Sequence, residues 1–217
     1  MSKQIAIVFP GQGSQSVGML AELAAAQPLV EATFAEASAV LGMDLWHLVS
    51  QGPKELLDRT DLTQPAMLTA GVAVWRVWQA AGGAQPAWLA GHSLGEFTAL
   101  VCADALGFAD AVALAVQRGR VMQEAVPPGA GAMAAILGLP DDQVAAACEE
   151  AAQGQVLAPV NYNSPGQVVI AGEAAAVERG IAAAKARGAK RAVPLPVSVP
   201  SHCALMRHAA DNSVVEA

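Results

Sequence analysis

The stretch Gly91-His92-Ser93-Leu94-Gly95 is the most informative part of the sequence, because it fits the G-x-S-x-G pattern of a nucleophile elbow. A short apolar run at 87–90 precedes it and predicts a buried strand, and residues 96–106 follow with the apolar spacing of a helix. The two glycines would allow a sharp turn and close packing of the helix on the strand. Ser93 would then lie at a helix N-terminus, where backbone N–H groups favour developing negative charge. We interpret Ser93 as a nucleophile, and the alternative is an ordinary helix N-cap.

The composition indicates a helix-rich globular protein. Of its 217 residues, 54% are hydrophobic, 14% are charged and 4% are aromatic. The net charge of −7 argues against nucleic acid as the main partner. No stretch approaches the ~20 apolar residues of a membrane span, and the first residues lack the pattern of a signal peptide. The cysteines Cys102, Cys148 and Cys203 have no metal-site spacing and are typical of reduced thiols, so we expect a cytoplasmic protein without a metal.

Strands that alternate with helices in the first part of the chain predict an α/β protein with a parallel sheet. Gln4–Phe9 is a continuous apolar run, which is typical of a parallel strand covered on both faces. Pro65 is expected to begin a helix over Ala66–Ala81, and another helix is expected from about Ala109 to Ala125. This part predicts a hydrolase-like parallel-sheet domain.

After residue 127 the pattern changes to β-α-β-β-α-β, the order of the ferredoxin-like split unit. We therefore expect a small ferredoxin-like (α+β) domain at 128–199, inserted into a large domain formed by 1–127 and 200–217. The predicted strands of the small domain are Ala132–Leu139, Val156–Tyr162, Gln167–Gly172 and Arg191–Val199, and its predicted helices are Asp141–Ala152 and Ala174–Arg187.

A serine nucleophile needs a base, and the chain has four histidines. His202 is the candidate, because it follows a predicted strand and Pro200, at the point where the chain leaves the small domain. At such a strand end a base could face the elbow, although a structural role for His202 is the alternative. The other histidines, His47, His92 and His208, have no comparable position.

Arg118 is the polar member of an otherwise apolar stripe on its predicted helix, with positions 111, 114, 115, 122 and 125. A buried arginine is costly unless it is paired or reaches a cavity. One interpretation is an internal ion pair with Glu96 or another acid. The other is a bidentate clamp for a substrate carboxylate, which guanidinium geometry suits.

The loop Gly11-Gln12-Gly13 follows the first strand but lacks the glycine spacing and lysine of nucleotide sites, so we expect no bound cofactor. In a hydrolase-like sheet, an oxyanion hole takes one N–H from the residue after the nucleophile and one from another strand-end loop. The backbone amides of Leu94 and Gln12 are the expected donors.

Several motifs together resemble the malonyl-CoA:acyl carrier protein transacylases of bacterial fatty acid synthesis. The resemblance covers residues 4 to 210 and rests on five segments in the family's order: Phe9-Pro-Gly-Gln-Gly-Ser-Gln15, Gly91-His-Ser-Leu-Gly-Glu96, Gln117-Arg-Gly119, the stretch from Asn161 to Gly172, and Val199-Pro-Ser-His202.

The resemblance implies a malonyl-CoA substrate, an acyl carrier protein partner and the following roles. Ser93 is the nucleophile, His202 the base, and Arg118 binds the malonyl carboxylate. The amides of Gln12 and Leu94 form the oxyanion hole. The remaining residues implied in substrate binding are Met122, Asn163 and Gln167, of which the last two would lie near the acyl-thioester channel.

The chain departs from the family at its C-terminal end, where family members continue. The segment of the family beyond this point contributes strands and helices, and also a glutamine carbonyl that orients the base histidine. The resemblance therefore implies a C-terminally truncated chain with an uncovered sheet edge, poor solubility or self-association, and little activity. The alternatives to a transacylase function are an α/β-hydrolase-type esterase or thioesterase, and an inactive fragment.

A basic cluster precedes the last predicted strand. Lys185, Arg187, Lys190 and Arg191 contribute four of the 12 basic residues. Acyl carrier proteins are acidic, so we expect Lys190 and Arg191 to dock the carrier. The alternative is a solvated helix end, where basic residues suit the helix dipole.

Overall fold

The computed structural model describes residues 4–197 and 199–215. The chain divides into two compact units, Met1–Arg120 and Val121–Ala217. In this division residues 200–217 group with the second unit, and the predicted domains, 1–127 with 200–217 and 128–199, remain a prediction. Within the described part, no helix is both long and apolar enough to span a bilayer.

The first unit is an α/β arrangement, as predicted. Its elements are β1 (Ala6–Phe9), α1 (Ala21–Ala26), α2 (Leu29–Leu41), α3 (Leu45–Gln51), α4 (Lys54–Leu57), α5 (Thr60–Ala80), β2 (Trp88–Gly91), α6 (Gly95–Cys102) and the larger part of α7 (Phe108–Glu124). Its main core lies among the helices, where Phe34, Leu45 and Leu68 are fully buried.

Strands β1 and β2 form a parallel pair, with a register from Ala6 opposite Trp88 to Phe9 opposite Gly91. One face of this pair packs through Phe9 against Trp75 and neighbouring residues. The side chains of Val8 and Trp88 point the other way, as alternation along a strand requires, and each is 68% exposed. The prediction that β1 is covered on both faces is therefore wrong in this structure.

Helix α5 begins at Thr60, well before the predicted start at Pro65. A proline within a helix forgoes one backbone hydrogen bond, here to the carbonyl of Asp61. The helical hydrogen bonds nevertheless begin before the proline, where the N–H of Thr63 donates to the carbonyl of Arg59 at 2.7 Å. The polar side chains in the first turn of α5, those of Thr60, Thr63 and Gln64, are all fully buried. Sequence reasoning missed this turn because its residues are polar and precede a proline.

The second unit contains an antiparallel sheet in the order β4-β5-β3-β6 with two long helices. The predicted order β-α-β-β-α-β is present. Both α8 and α9 contribute to a core with the sheet, in which Ile136, Val144, Ile170 and Val177 are buried. The elements are β3 (Gly131–Leu137), α8 (Asp141–Ala152), β4 (Leu157–Ser164), β5 (Gln167–Glu173), α9 (Ala174–Ala186), β6 (Arg191–Pro194), a 3-10 helix (Ala204–Met206) and α10 (Arg207–Val215).

Strand β6 ends at Pro194, before the predicted end at Val199. Pro194 and Pro196 have no N–H to donate to a neighbouring strand, which ends the regular ladder. The N–H of Leu195 still donates to the carbonyl of Met133 at 2.9 Å. Residue 198 of the predicted strand lies outside the described residues.

Candidate active site

The G-x-S-x-G stretch forms a tight turn between β2 and α6. Ser93 has a φ of 52°, in the left-handed region that non-glycine residues rarely adopt. A Cβ on Gly91 would lie 1.9 Å from the carbonyl carbon of Gly95, and a Cβ on Gly95 would lie 2.2 Å from the carbonyl oxygen of Phe9. Only glycine fits at either position. Because neither residue has a side chain, β1, β2 and α6 can approach one another closely beside the serine.

Ser93 is not the N-cap of α6. That position belongs to Leu94, which has helical backbone angles and is almost fully buried. Ser93 instead combines a strained backbone with a half-buried side chain. Strain of this kind is found where the position of a side chain matters for function. The arrangement therefore favours the nucleophile interpretation over a capping role.

The loop after β1 packs against this turn. A Cβ on Gly11 would lie 2.6 Å from the carbonyl oxygen of His92 and 3.1 Å from its Nδ1 atom. The side-chain amide of Gln12 donates to Oγ1 of Thr60 at 3.0 Å, which ties the loop to the start of α5. Gln12 therefore lies one residue from the direct contact between the loop and the elbow.

Arg118 of α7 reaches the nucleophile. Its Nη2 atom donates to Oγ of Ser93 at 3.2 Å, and its Nη1 atom donates to Oε1 of Gln64 at 2.6 Å. Its Cζ atom also lies 6.0 Å from the centre of the Phe97 ring. Burial lowers the pKa of the Arg118 guanidinium, and the charge of Glu96 partly counteracts this shift. A half-buried cation therefore lies beside the serine hydroxyl.

In the second unit, His202 lies in a turn rather than at the end of a strand, with a φ of 67° and an exposed side chain. The neighbouring Pro200 covers the start of β3, since a Cβ on Gly131 would lie 2.3 Å from its Cγ atom. Met122 is buried with Val199, Met206 and Ala209 in a small apolar cluster.

The other predicted binding residues lie at the opposite end of this sheet. Gln167 begins β5 and pairs with Leu137, the last residue of β3, which also pairs with Arg191. Asn163 lies nearby, close to the end of β4, and its side chain is exposed. The seven residues of β3 separate this end from the Gly131 end by roughly 20 Å at ~3.3 Å per residue.

Two residues of the basic cluster, Lys190 and Arg191, lie at the same sheet end. The side chain of Lys190 lies over Gly138, where a Cβ would be 2.5 Å from its Cγ atom. Arg187 forms an ion pair with Glu150 at 2.7 Å, so part of the positive charge is compensated. Lys190 and Arg191 are exposed.

Comparison with known proteins places these residues in a family. The acyl transferase domain family matches residues 6–216. A malonyl CoA-acyl carrier protein transacylase of Escherichia coli (strain K12) is 68% identical over 98% of the chain, which spans 69% of the length of that relative. One of Haemophilus influenzae is 58% identical over the same shares.

The chain belongs to the malonyl CoA-acyl carrier protein transacylase family. It is an acyltransferase. A solved malonyl-transacylase in complex with a type II PKS acyl-carrier protein is similar, with a TM-score of 0.96 and 63% identity, over 98% of this chain and 69% of that one. The resemblance drawn from the sequence motifs is confirmed.

Within the first unit, the structure brings together four of the residues predicted for this transacylase family: Ser93, Leu94, Arg118 and Gln12. Gln64 was not predicted, because its partner Arg118 lies 54 positions away in sequence and nothing local marks it. Across residues 4–197 and 199–215, no group of three or more His, Cys, Asp or Glu side chains could hold a metal ion.

Proposed function

We propose that the chain transfers the malonyl group of malonyl-CoA to the thiol of acyl carrier protein, in fatty acid biosynthesis, through a malonyl-serine at Ser93. The observation that carries this proposal is the 3.2 Å separation between Nη2 of Arg118 and Oγ of Ser93. In a malonyl thioester, a single methylene group separates the carboxylate from the carbonyl carbon under attack. A cation beside the nucleophile therefore suits an acyl group that carries a carboxylate at that distance.

In the first step, Oγ of Ser93 attacks the thioester carbonyl carbon and His202 accepts the hydroxyl proton. The backbone N–H groups of Gln12 and Leu94 stabilise the negative oxygen of the tetrahedral intermediate. The C–S bond then breaks, His202 returns the proton to the departing sulfur, and coenzyme A leaves as the free thiol. In the second step the thiol of the carrier attacks the malonyl-serine in the same way, so one transfer is divided into two easier ones.

The remaining residues of the proposal bind the long substrate. Met122 contacts the acyl group, Asn163 and Gln167 contact the thioester arm, and Lys190 with Arg191 dock the acidic carrier protein. No cofactor beyond the thioester substrate takes part.

We also propose a two-domain fold and a cytoplasmic location for the chain. The parallel β1–β2 pair with its elbow supports a hydrolase-like large domain, and the antiparallel order of the second sheet supports an inserted ferredoxin-like domain. The domain limits are 1–127 with 200–217, and 128–199. Three buried thiols, Cys102, Cys148 and Cys203, support a reducing, cytoplasmic environment.

A chase experiment separates transfer from hydrolysis. The chain is incubated with malonyl-CoA, freed of excess thioester, and then mixed with carrier protein or with buffer alone. We expect the malonyl group to move to the carrier thiol much faster than it is lost to water. Loss at equal rates with and without carrier would instead indicate an esterase, and failure to load the serine would indicate an inactive fragment.

A further inference from the structure

Gln64 is a fully buried polar residue whose side-chain oxygen accepts from Arg118. Its exposure is 0%, and the distance from Nη1 of Arg118 to its Oε1 atom is 2.6 Å. It lies one helical turn after Thr60, whose hydroxyl accepts from Gln12. Burial of an amide costs free energy unless its hydrogen bonds are made. A hydrogen bond to a charged group is among the stronger ones, so this contact is well suited to hold the arginine.

The approach of α7 to α5 makes this contact possible. Gly119 follows Arg118, and a Cβ there would lie 2.6 Å from Cα of Asp61 and 2.7 Å from the carbonyl oxygen of Thr60. Because residue 119 has no side chain, the two helices approach closely at the start of α5. Arg118 is thereby brought within reach of Gln64.

Because the guanidinium is planar, this contact also fixes the orientation of the Arg118 side chain. Its N–H groups form a rigid fork, so a hydrogen bond at Nη1 restricts where Nη2 points. With Nη1 held by Gln64, Nη2 faces Oγ of Ser93 at 3.2 Å. The Phe97 ring lies on another side of the guanidinium, with its centre 6.0 Å from Cζ of Arg118.

The chemical nature of the acceptor matters as much as its position. A glutamate at residue 64 would also accept from Arg118, but its charge would cancel that of the guanidinium. The neutral amide orients the arginine without placing a negative charge against the guanidinium. Glu96, the acid that influences Arg118, has an exposed side chain, where solvent screens its charge.

We infer that Gln64 is a positioning residue that determines the preference for carboxylate-bearing acyl groups. Its neutral oxygen orients Arg118 toward the acyl group on Ser93 without competing for the charge that a malonyl carboxylate needs. This inference rests on the proposed function, in which Arg118 binds that carboxylate.

The test measures how fast Ser93 is acylated by malonyl-CoA and by acetyl-CoA in the same preparation, and takes the ratio of the two rates. The ratio does not depend on the fraction of protein that is folded. The variants are Gln64→Leu, Gln64→Glu and Arg118→Ala. The matched control is Gln155→Leu, because Oε1 of Gln155 accepts from Nη2 of Arg179 at 2.8 Å in the second unit.

We expect Gln64→Leu to lower the malonyl-to-acetyl ratio about tenfold, the effect of one hydrogen bond to a charged group. Gln64→Glu should lower it on the order of 100-fold, because the carboxylate competes with malonyl for the same cation. Gln155→Leu should leave the ratio unchanged. If Gln64→Glu fails to fold, Gln64→Leu still decides the matter.

Two results would overturn the inference, and they differ in meaning. An unchanged ratio in the Gln64 variants, together with a lowered ratio in Arg118→Ala, would reject the role of Gln64 and leave the proposed function intact. An unchanged ratio in Arg118→Ala as well would reject the carboxylate clamp itself.

Discussion

The Nη2 atom of Arg118 lies 3.2 Å from the Oγ atom of Ser93, although Arg118 belongs to α7 and Ser93 to the turn before α6, 25 positions apart. A half-buried cation therefore lies beside the serine of the elbow. This relationship distinguishes the site from that of a simple hydrolase, in which a serine needs no fixed cation beside it. In the proposed function, it connects the fold of the first unit to the choice of acyl group.

Replacement of Arg118 by alanine should reduce malonyl transfer more than about 100-fold, a loss of ~3 kcal/mol, because a charge-assisted hydrogen-bonded pair is lost. Acetyl transfer should be spared or improved, because the acetyl group has no carboxylate. Steady-state kinetics with both thioesters provide the measurement, and Arg76→Ala, which removes an ion pair with Glu36, is the control. An equal loss with both substrates would mean that Arg118 is structural.

Replacement of Gly95 by alanine should disrupt the elbow, because the new Cβ would meet the carbonyl oxygen of Phe9 at 2.2 Å. We expect a loss of stability of roughly 1–3 kcal/mol and a clear fall in Ser93 acylation. Gly188→Ala is the control, since nothing lies within 4 Å of that position. It should lower the melting temperature through its positive φ and leave the acylation rate unchanged. Normal acylation in Gly95→Ala would contradict the elbow geometry.

Charge reversal at Lys190 and Arg191 should slow malonyl transfer to the carrier about tenfold at low salt, because electrostatic steering of an acidic partner is lost. Acylation of Ser93 by malonyl-CoA should change little. The paired exchange Lys190→Arg with Arg191→Lys retains both charges and should transfer normally. Unchanged carrier kinetics at low ionic strength after charge reversal would mean that the cluster is only a solvated helix end.

The cysteines should be unreactive in the native protein. Burial raises the pKa of the Cys102 thiol to about 12 and that of Cys148 to about 11, and it also raises the pKa of Cys203. The reactive thiolate is therefore scarce at about pH 8 and increases only as the pH approaches these values. Iodoacetamide at that pH should modify the native protein far more slowly than the urea-unfolded protein. Rapid native labelling of Cys203, beside His202, would contradict this prediction.

The sequence predicted those features that depend on local chemistry. The elbow at Gly91–Gly95 was recognisable because its glycines and serine are adjacent in the chain. The beginning of α5 at Thr60 was not, because the residues of its first turn are polar and precede a proline, and because the side chain that donates to Thr60 belongs to Gln12, 48 positions away. Gln64 escaped notice for the same reason. The early end of β6 could have been anticipated from Pro194 and Pro196, which cannot donate to a ladder.

The proposed transfer requires that Ser93 carry the malonyl group, and the intact mass of the chain after incubation with malonyl-CoA, followed by peptide mapping, measures this directly. We expect the addition of one malonyl group, located on Ser93 and absent in Ser93→Ala. Acetyl-CoA should label the wild-type protein much more slowly. A label on Cys203, or a label retained in Ser93→Ala, would rule out Ser93 as the acylated residue.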